Sequence, residues 1–215
     1  MCHVAPNIFI LEGNIAAGKS TLAGKLAEMY GLTLFTEPVE ENPYLELFYE
    51  DPKKWGYQMQ TWFFNQRLNT YKEAVQASKT VKGVLLDRSV FSDLVFALNS
   101  YEDGFISDAD FKLYNEQYQA QLKGLPLPTV ILYLDVTPET CYYRIHNVRC
   151  RPCEASIPLT YLQGLDKCYH TFLDTMHRFG CSIYTEPWNE FGQTEDIYAN
   201  YIRLEETTPP VVSSV

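Results

Sequence analysis

The chain has little of what membrane, secreted and nucleic-acid-binding proteins need. Its 215 residues contain no apolar run that approaches the roughly 20 residues required to cross a bilayer. The opening stretch MCHVAPN has neither a basic segment ahead of an apolar run nor an arginine-rich amphipathic pattern, which argues against a secretory signal and an organelle presequence. Six cysteines are scattered rather than clustered, so no disulfide scaffold is expected and the setting is read as reducing and cytoplasmic. Positive charge is also short: 17 Lys and Arg face 27 Asp and Glu, a net of −10. That balance excludes a broad basic footprint, and with it sequence-independent binding to nucleic acid or to an anionic membrane. Any phosphate must be gripped by a local site. Internal repeats and low-complexity blocks are missing too, and residues 207–215, rich in Pro, Ser and Thr, are expected to fray.

What is present is a core. Apolar residues make up 46% and charged residues 20%, the balance of a globular chain with one domain over residues 1–206. Five short apolar runs, at 7–12, 32–36, 84–87, 130–135 and 181–185, alternate with longer helical patterns. The runs barely alternate in polarity, as strands covered on both faces do. Helices are predicted over 19–30 (with Leu22, Leu26 and Met29 on one side), 53–78, 108–122, 137–147, 159–179 and 195–204. The pattern predicts an α/β fold, a parallel five-stranded sheet flanked by helices. Ligands of such sheets bind at the carboxyl ends of the strands.

The first run ends in Gly13-Asn14-Ile15-Ala16-Ala17-Gly18-Lys19-Ser20-Thr21, which satisfies G-x-x-x-x-G-K-[ST] between strand and helix. Glycines let consecutive N–H groups face an anion, and the helix start adds partial positive charge. Lys19 is the candidate for neutralising the β- and γ-phosphates of ATP, and Ser20 for holding Mg²⁺. No Asn-Lys-x-Asp is present to select guanine, which weakens a GTPase reading. Glu37 follows the second run, and Asp87 and Arg88 end and follow the third. There a carboxylate can take the proton of an attacking hydroxyl and an arginine can stabilise the transferred group. Alternatively, Asp87 and Arg88 cap a helix and pair with each other.

The blocks GNIAAGKST, TEPVEENPYLELFYEDPKKW, QMQTWFFNQR, LLDRSVFSD, ILYLDVTPE and RCRPCEASIPLTYLQGL follow one another in order. They give the chain, from about Ile8 to Tyr201, a resemblance to the deoxynucleoside kinase family of P-loop kinases. The resemblance implies that Glu37 is the general base for a 5′-hydroxyl, with Arg88 beside the phosphate and Asp87 near Mg²⁺. It also implies that Tyr49 and Glu154 hold the sugar 3′-hydroxyl, and that Gln60 pairs with the base beside Arg67 and Asp93. Gln60 and Arg67, seven apart, share nearly one helical face. Thymidine-preferring relatives tend to lack the Arg/Asp pair, so purine deoxynucleosides and deoxycytidine are favoured over thymidine. Phe63 is bulkier than the small residue of some relatives. Two positions depart from the family pattern. Asn42 replaces a tryptophan that many relatives carry, and Ala97 stands where the base-stacking phenylalanine usually lies. Either Phe96 stacks from one residue earlier or another aromatic does.

The stretch HNVRCRPCE, residues 146–154, draws attention by its Cys-x-x-Cys. The resemblance makes it part of a mobile lid near 144–156 that brings Arg149 and Arg151 to the phosphates, with Arg144 a weaker candidate. His146 stands where some relatives have another arginine. A zinc site built on Cys150, Cys153 and His146 would need a fourth ligand folded back, Cys168 or His170, and a redox pair would have to sit inside a lid. Two incidental cysteines are the simpler reading. Likewise Trp62-Phe63-Phe64 reads as helix core and pocket wall, and His3 and His177 as surface positions. The expected reaction is transfer of the ATP γ-phosphoryl to the 5′-hydroxyl of a deoxynucleoside, by a homodimer joined along the 53–78 helix. The rivals are a thymidylate-kinase-like nucleotide kinase and a non-catalytic nucleotide- or zinc-binding interaction protein.

Overall fold

A computed structural model describes residues 7–202. Five strands, β1 (Ile8–Gly13), β2 (Thr33–Phe35), β3 (Val84–Asp87), β4 (Val130–Asp135) and β5 (Ser182–Pro187), form one parallel sheet of order β2-β3-β1-β4-β5. β1 lies at its centre and all six of its residues are buried, which is why IFILEG shows no polar alternation. Registers Leu11↔Asp87 and Gly13↔Leu134 bring the ends of β3, β1 and β4 to one edge. The chain leaves β1 between neighbours reached from opposite directions, the switch point where such sheets bind ligands.

Around the sheet run α1 (Lys19–Tyr30), α2 (Leu45–Glu50), α3 (Pro52–Ala77), α4 (Asp93–Glu102), α5 (Asp108–Leu122), α6 (Pro138–Arg144), α7 (Leu159–Arg178) and α8 (Thr194–Ile197). Asp51 caps α3 by accepting from the Lys54 N–H, with Pro52 in the first turn. Ser107 caps α5 and Thr137 caps α6 in the same way. α1 begins at Gly18 (φ 102°) and stops at Gly31 (φ 64°), both left-handed.

Several sequence expectations shift. Met29 does not share the buried face of Leu22 and Leu26: it is 46% exposed, in a last turn left uncovered where the chain bends at Gly31. Two helices carry no readable stripe. α2 has only six residues, and α4, DLVFALNSYE, buries Asp93, Val95, Ala97, Asn99 and Ser100, so its polarity does not repeat every 3.6 residues. The helix predicted over 137–147 ends as α6 at Arg144 and continues as a π-helical turn, Ile145–Arg149. The one predicted over 195–204 is α8 followed by a π-helical turn to Ile202, and Leu204 lies outside the described residues, as do His3 and the 207–215 tail. No helix among the described residues is long and apolar enough to cross a membrane.

Two glycines give a test with opposite signs. A Cβ on Gly56 of α3 would sit 2.9 Å from the backbone oxygen of Phe105, whereas one on Gly24 of α1 meets nothing within 4 Å. Gly56→Ala should destabilise by about 1–3 kcal/mol through overpacking against backbone. Gly24→Ala should stabilise by about 0.4–1 kcal/mol by restricting the unfolded chain. Urea unfolding of both variants checks the pair, and equal signs would contradict the packing described.

Candidate active site

The loop after β1 is shaped by close approach. Gly13 has φ 147°, and a Cβ there would lie 2.9 Å from the Leu134 carbonyl oxygen on β4. The buried Asn14 side chain donates to the Leu162 carbonyl of α7 (2.9 Å) and accepts from the Ile15 N–H (2.8 Å), tying the loop to the helix behind it. Ile15, Ala16, Gly18, Lys19, Ser20 and Thr21 line a cleft of about 700 Å³, while Gly13, Asn14 and Ala17 form its backing. Lys19 folds onto its own loop, donating to the carbonyls of Gly13 (3.1 Å) and Asn14 (2.8 Å). Burial, and then the nearby Arg88, bring its ammonium down to about 7. Ser20 donates to Oδ2 of Asp87, whose Oδ1 is buried without a partner. A hydroxyl beside an unsatisfied carboxylate oxygen, both on the cleft, is an oxygen donor set that suits Mg²⁺. Asp87 therefore reaches across to the P-loop instead of capping a helix with Arg88.

The opposite wall is a network of charge. Glu37 Oε1 accepts from Nε of Arg67 (2.9 Å) and from its Nη2, and Oε2 accepts from Nε of Arg88 (3.2 Å). Burial works against the carboxylate, but the two guanidiniums outweigh it and hold Glu37 below the usual carboxylate range. Arg67 also pairs with Asp93, at the start of α4, and stays charged despite burial because both acids hold it. Gln60 is fully buried, not an exposed helical glutamine. Its Nε2 donates to the Asp93 side chain (2.8 Å) and carbonyl (3.1 Å), which leaves its Oε1 without a partner. Phe63 and Phe96 both line the cleft, their rings 4.9 and 5.0 Å from the Arg67 guanidinium, whereas Ala97 turns into the core. Asp93 lies behind this wall.

At the far side the π-helical turn carries Arg149 to the cleft. Arg149 (2.8 Å) and Arg151 (3.6 Å) both pair with Oε1 of Glu154, which is 3% exposed and leaves Oε2 without a partner. Tyr49 of α2 lines the cleft beside them. Cys150 is exposed and Cys153 half-buried, and burial together with Glu154 pushes the Cys153 thiol up. His146 places both ring nitrogens on carbonyls, Tyr142 (2.9 Å) and Ala155 (3.1 Å). Among the described residues no group of three or more His, Cys, Asp or Glu is placed to hold a metal.

Some cleft residues escape the sequence reading. Arg144, read there as a possible lid cation, is pinned to the carbonyls of Ala17 (3.0 Å), Trp188 (2.8 Å) and Asn189 (2.9 Å). Above it sits Phe191, 63% exposed, its ring 4.3 Å from the guanidinium and close against Gly18. The signal for Phe191 was available, because it follows the fifth strand on the edge where ligands bind. Phe48, Met59 and Tyr161 complete the walls from three separate helices, which no local pattern announces.

Fold and loop together define a P-loop kinase of the α/β class. Residues 9–206 match the family model described as Deoxynucleoside kinase. A deoxyguanosine kinase of Dictyostelium discoideum is 50% identical over 186 residues, covering 86% of this chain and 65% of that protein. A deoxyadenosine kinase of the same organism is 35% identical over 195 residues, 91% of this chain and 77% of the other. The structure of a deoxyadenosine kinase from M. mycoides with bound dCTP is similar with a TM-score of 0.79 at 25% identity, covering 93% of this chain and 99% of that one. The chain belongs to the deoxynucleoside kinase family.

Lys19 supplies a proton-counting test. A cation brought down to about 7 is mostly neutral at pH 8, and an anion in the loop favours its charged form. Inorganic tripolyphosphate should therefore bind at pH 8 with uptake of close to one proton. Calorimetry in two buffers of different ionisation enthalpy measures it. Lys19→Arg, which is always charged, should lose that uptake, and equal uptake in both proteins would refute the assignment.

Proposed function

We propose that the protein transfers the γ-phosphoryl group of ATP to the 5′-hydroxyl of a 2′-deoxynucleoside, with purine deoxynucleosides preferred and deoxyguanosine first among them. One observation carries the reading. A carboxylate kept charged by two guanidiniums faces a P-loop lysine across a single cleft, and that cleft continues to a buried amide with an open acceptor. In this reading Glu37 takes the hydroxyl proton, and Arg88 and Lys19 offset the charge that develops on the transferred group. Ser20 and Asp87 would hold Mg²⁺, which when bound neutralises phosphate charge. The flat face of Phe191 over Arg144 offers the donor base an apolar surface at the P-loop end. Tyr49 and Glu154 take the sugar 3′-hydroxyl, and closure of the lid near 144–156 moves Arg149 and Arg151 onto phosphate and excludes water.

The base end favours an edge with a donor beside an acceptor. Both Nε2 hydrogens of Gln60 are taken by Asp93, so the amide offers its oxygen to a base N–H. Arg67 spends three of its five N–H groups on Glu37 and Asp93, which leaves donors for a base acceptor. Guanine presents N1–H next to O6, and since thymine presents N3–H next to O4, the low turnover expected with thymidine rests on the Arg67–Asp93 pair and not on this edge. The Arg67–Asp93 pair that thymidine-preferring relatives tend to lack is intact, and a relative named deoxyguanosine kinase is 50% identical.

The rival reading, a kinase acting on monophosphates, needs a cation for the acceptor's own phosphate. Of the cations on the cleft, Lys19, Arg88, Arg149 and Arg151 are assigned above to the phosphates of ATP, Arg67 is held by Glu37 and Asp93, and Arg144 is pinned to carbonyls, which leaves none for a second phosphate. A steady-state panel of the four deoxynucleosides and their monophosphates with ATP separates the readings. Turnover should be highest with deoxyguanosine, lower with deoxyadenosine and deoxycytidine, and lowest with thymidine, with no monophosphate accepted. Glu37→Gln should lower kcat by about 10²–10⁴-fold. Full turnover in that variant, or efficient use of a monophosphate, would end the proposal.

A further inference from the structure

We infer that Tyr169, buried on α7 behind the cleft and tied to Glu12 of β1, is the positioning residue that seats the Arg88 guanidinium against Glu37. The inference deepens the reading above and rests on it, since it assigns Arg88 and Glu37 the work of phosphoryl transfer.

Arg88 is an unusual residue. It has φ 68°, a left-handed backbone that a non-glycine residue holds only where its surroundings impose it. Its N–H donates to the Leu11 carbonyl (3.0 Å), which fixes the backbone against β1. The side chain is then set by three partners. Nε donates to Glu37 (3.2 Å), and Nη1 donates to the Gly13 carbonyl (2.9 Å) and to the Tyr169 hydroxyl. Phe96 lies 4.8 Å from the guanidinium. Glu37 and Gly13 belong to segments that face phosphate or substrate. Tyr169 does not: it is fully buried and does not line the cleft. Of the three, it alone can hold Arg88 from behind while the front is occupied.

The polarity of the contact follows from the chemistry of its members. A guanidinium has no acceptor, so the Tyr169 oxygen must accept from Arg88, and its own proton is free to go to Oε2 of Glu12, 3.4 Å away. Glu12 is fully buried, and its Oε1 accepts from Ser89 (3.0 Å), the residue that follows Arg88. The Glu12 carboxyl, which burial pushes up, thus sits at the end of a line running Arg88 to Tyr169 to Glu12, and hydrogen bonds in such a line strengthen one another. The Tyr169 ring cannot swing aside. It packs edge-on against Phe96 (6.3 Å between centroids) and Phe172 (6.3 Å), and against Tyr133 (5.5 Å). Nothing in the mechanism touches Tyr169 or Glu12, yet between them they fix where the charge of Arg88 lies.

Tyr169→Phe removes only the hydroxyl, and Glu12→Gln keeps the side chain's shape. In full-length protein with deoxyguanosine and ATP, Tyr169→Phe should lower kcat about tenfold with the acceptor KM within about twofold. A purely structural role would lower Tm without that split. The acid limb of kcat/KM against pH should also move upward, because a loosened Arg88 no longer helps to keep Glu37 ionised, and Glu12→Gln should move it the same way by less. Wild-type kcat with an unmoved limb in Tyr169→Phe overturns the inference alone. If that variant does not fold, an unmoved limb in Glu12→Gln overturns it. Absence of deoxynucleoside phosphorylation by the wild-type chain overturns the functional reading, and this inference with it.

Discussion

The structure turns on one half-buried carboxylate. Glu37 is gripped by Arg67 and Arg88, Arg67 is gripped in turn by Asp93, and Arg88 by Tyr169. Removing four charged groups from water costs several kcal/mol per ion and is tolerated only when each finds its partners. That requirement draws the end of β2, the middle of α3, the end of β3 and the start of α4 to one point. The geometry of the cleft follows from it. Gln60 is locked by the same Asp93 that holds Arg67, so the cleft amide and the cleft carboxylate share one support.

The phosphate side is built on an opposite principle. There the charge is left poorly compensated: Lys19 meets only carbonyls, and burial lowers its hold on the proton. The 149–154 stretch lies between the two: Arg149 and Arg151 share one oxygen of Glu154, whose other oxygen has no partner.

Motifs with their own local geometry were readable from the sequence. GNIAAGKS carries its turn, its cation and its helix start within eight residues, and the five apolar runs predict the five strands within a residue or two. What could not be read depends on contacts between distant segments. α4 hides because it is buried on most sides, so no stripe marks it. The family pattern alone left Phe96 and Ala97 undecided, and the helix decides it. Starting α4 at Asp93 rotates the two about 100° apart, and only Phe96 can face the cleft. Likewise the spacing of Gln60 and Arg67 shows a shared face but not that Arg67 would also clamp Glu37, because that partner lies 30 positions away.

The π-helical turn at Ile145–Arg149 has a meaning beyond its shape. A turn closed from i to i+5, here the Cys150 N–H to the Ile145 carbonyl, holds one residue more than an α-helical turn of the same rise. The chain leaves the helix there, at Cys150, whose φ of 50° is left-handed. Val148 and Arg149 face the cleft before that exit, and Arg151 faces it just beyond. The turn is in effect a spacer, so the reach of the two arginines is specified by a count of residues as much as by their identity.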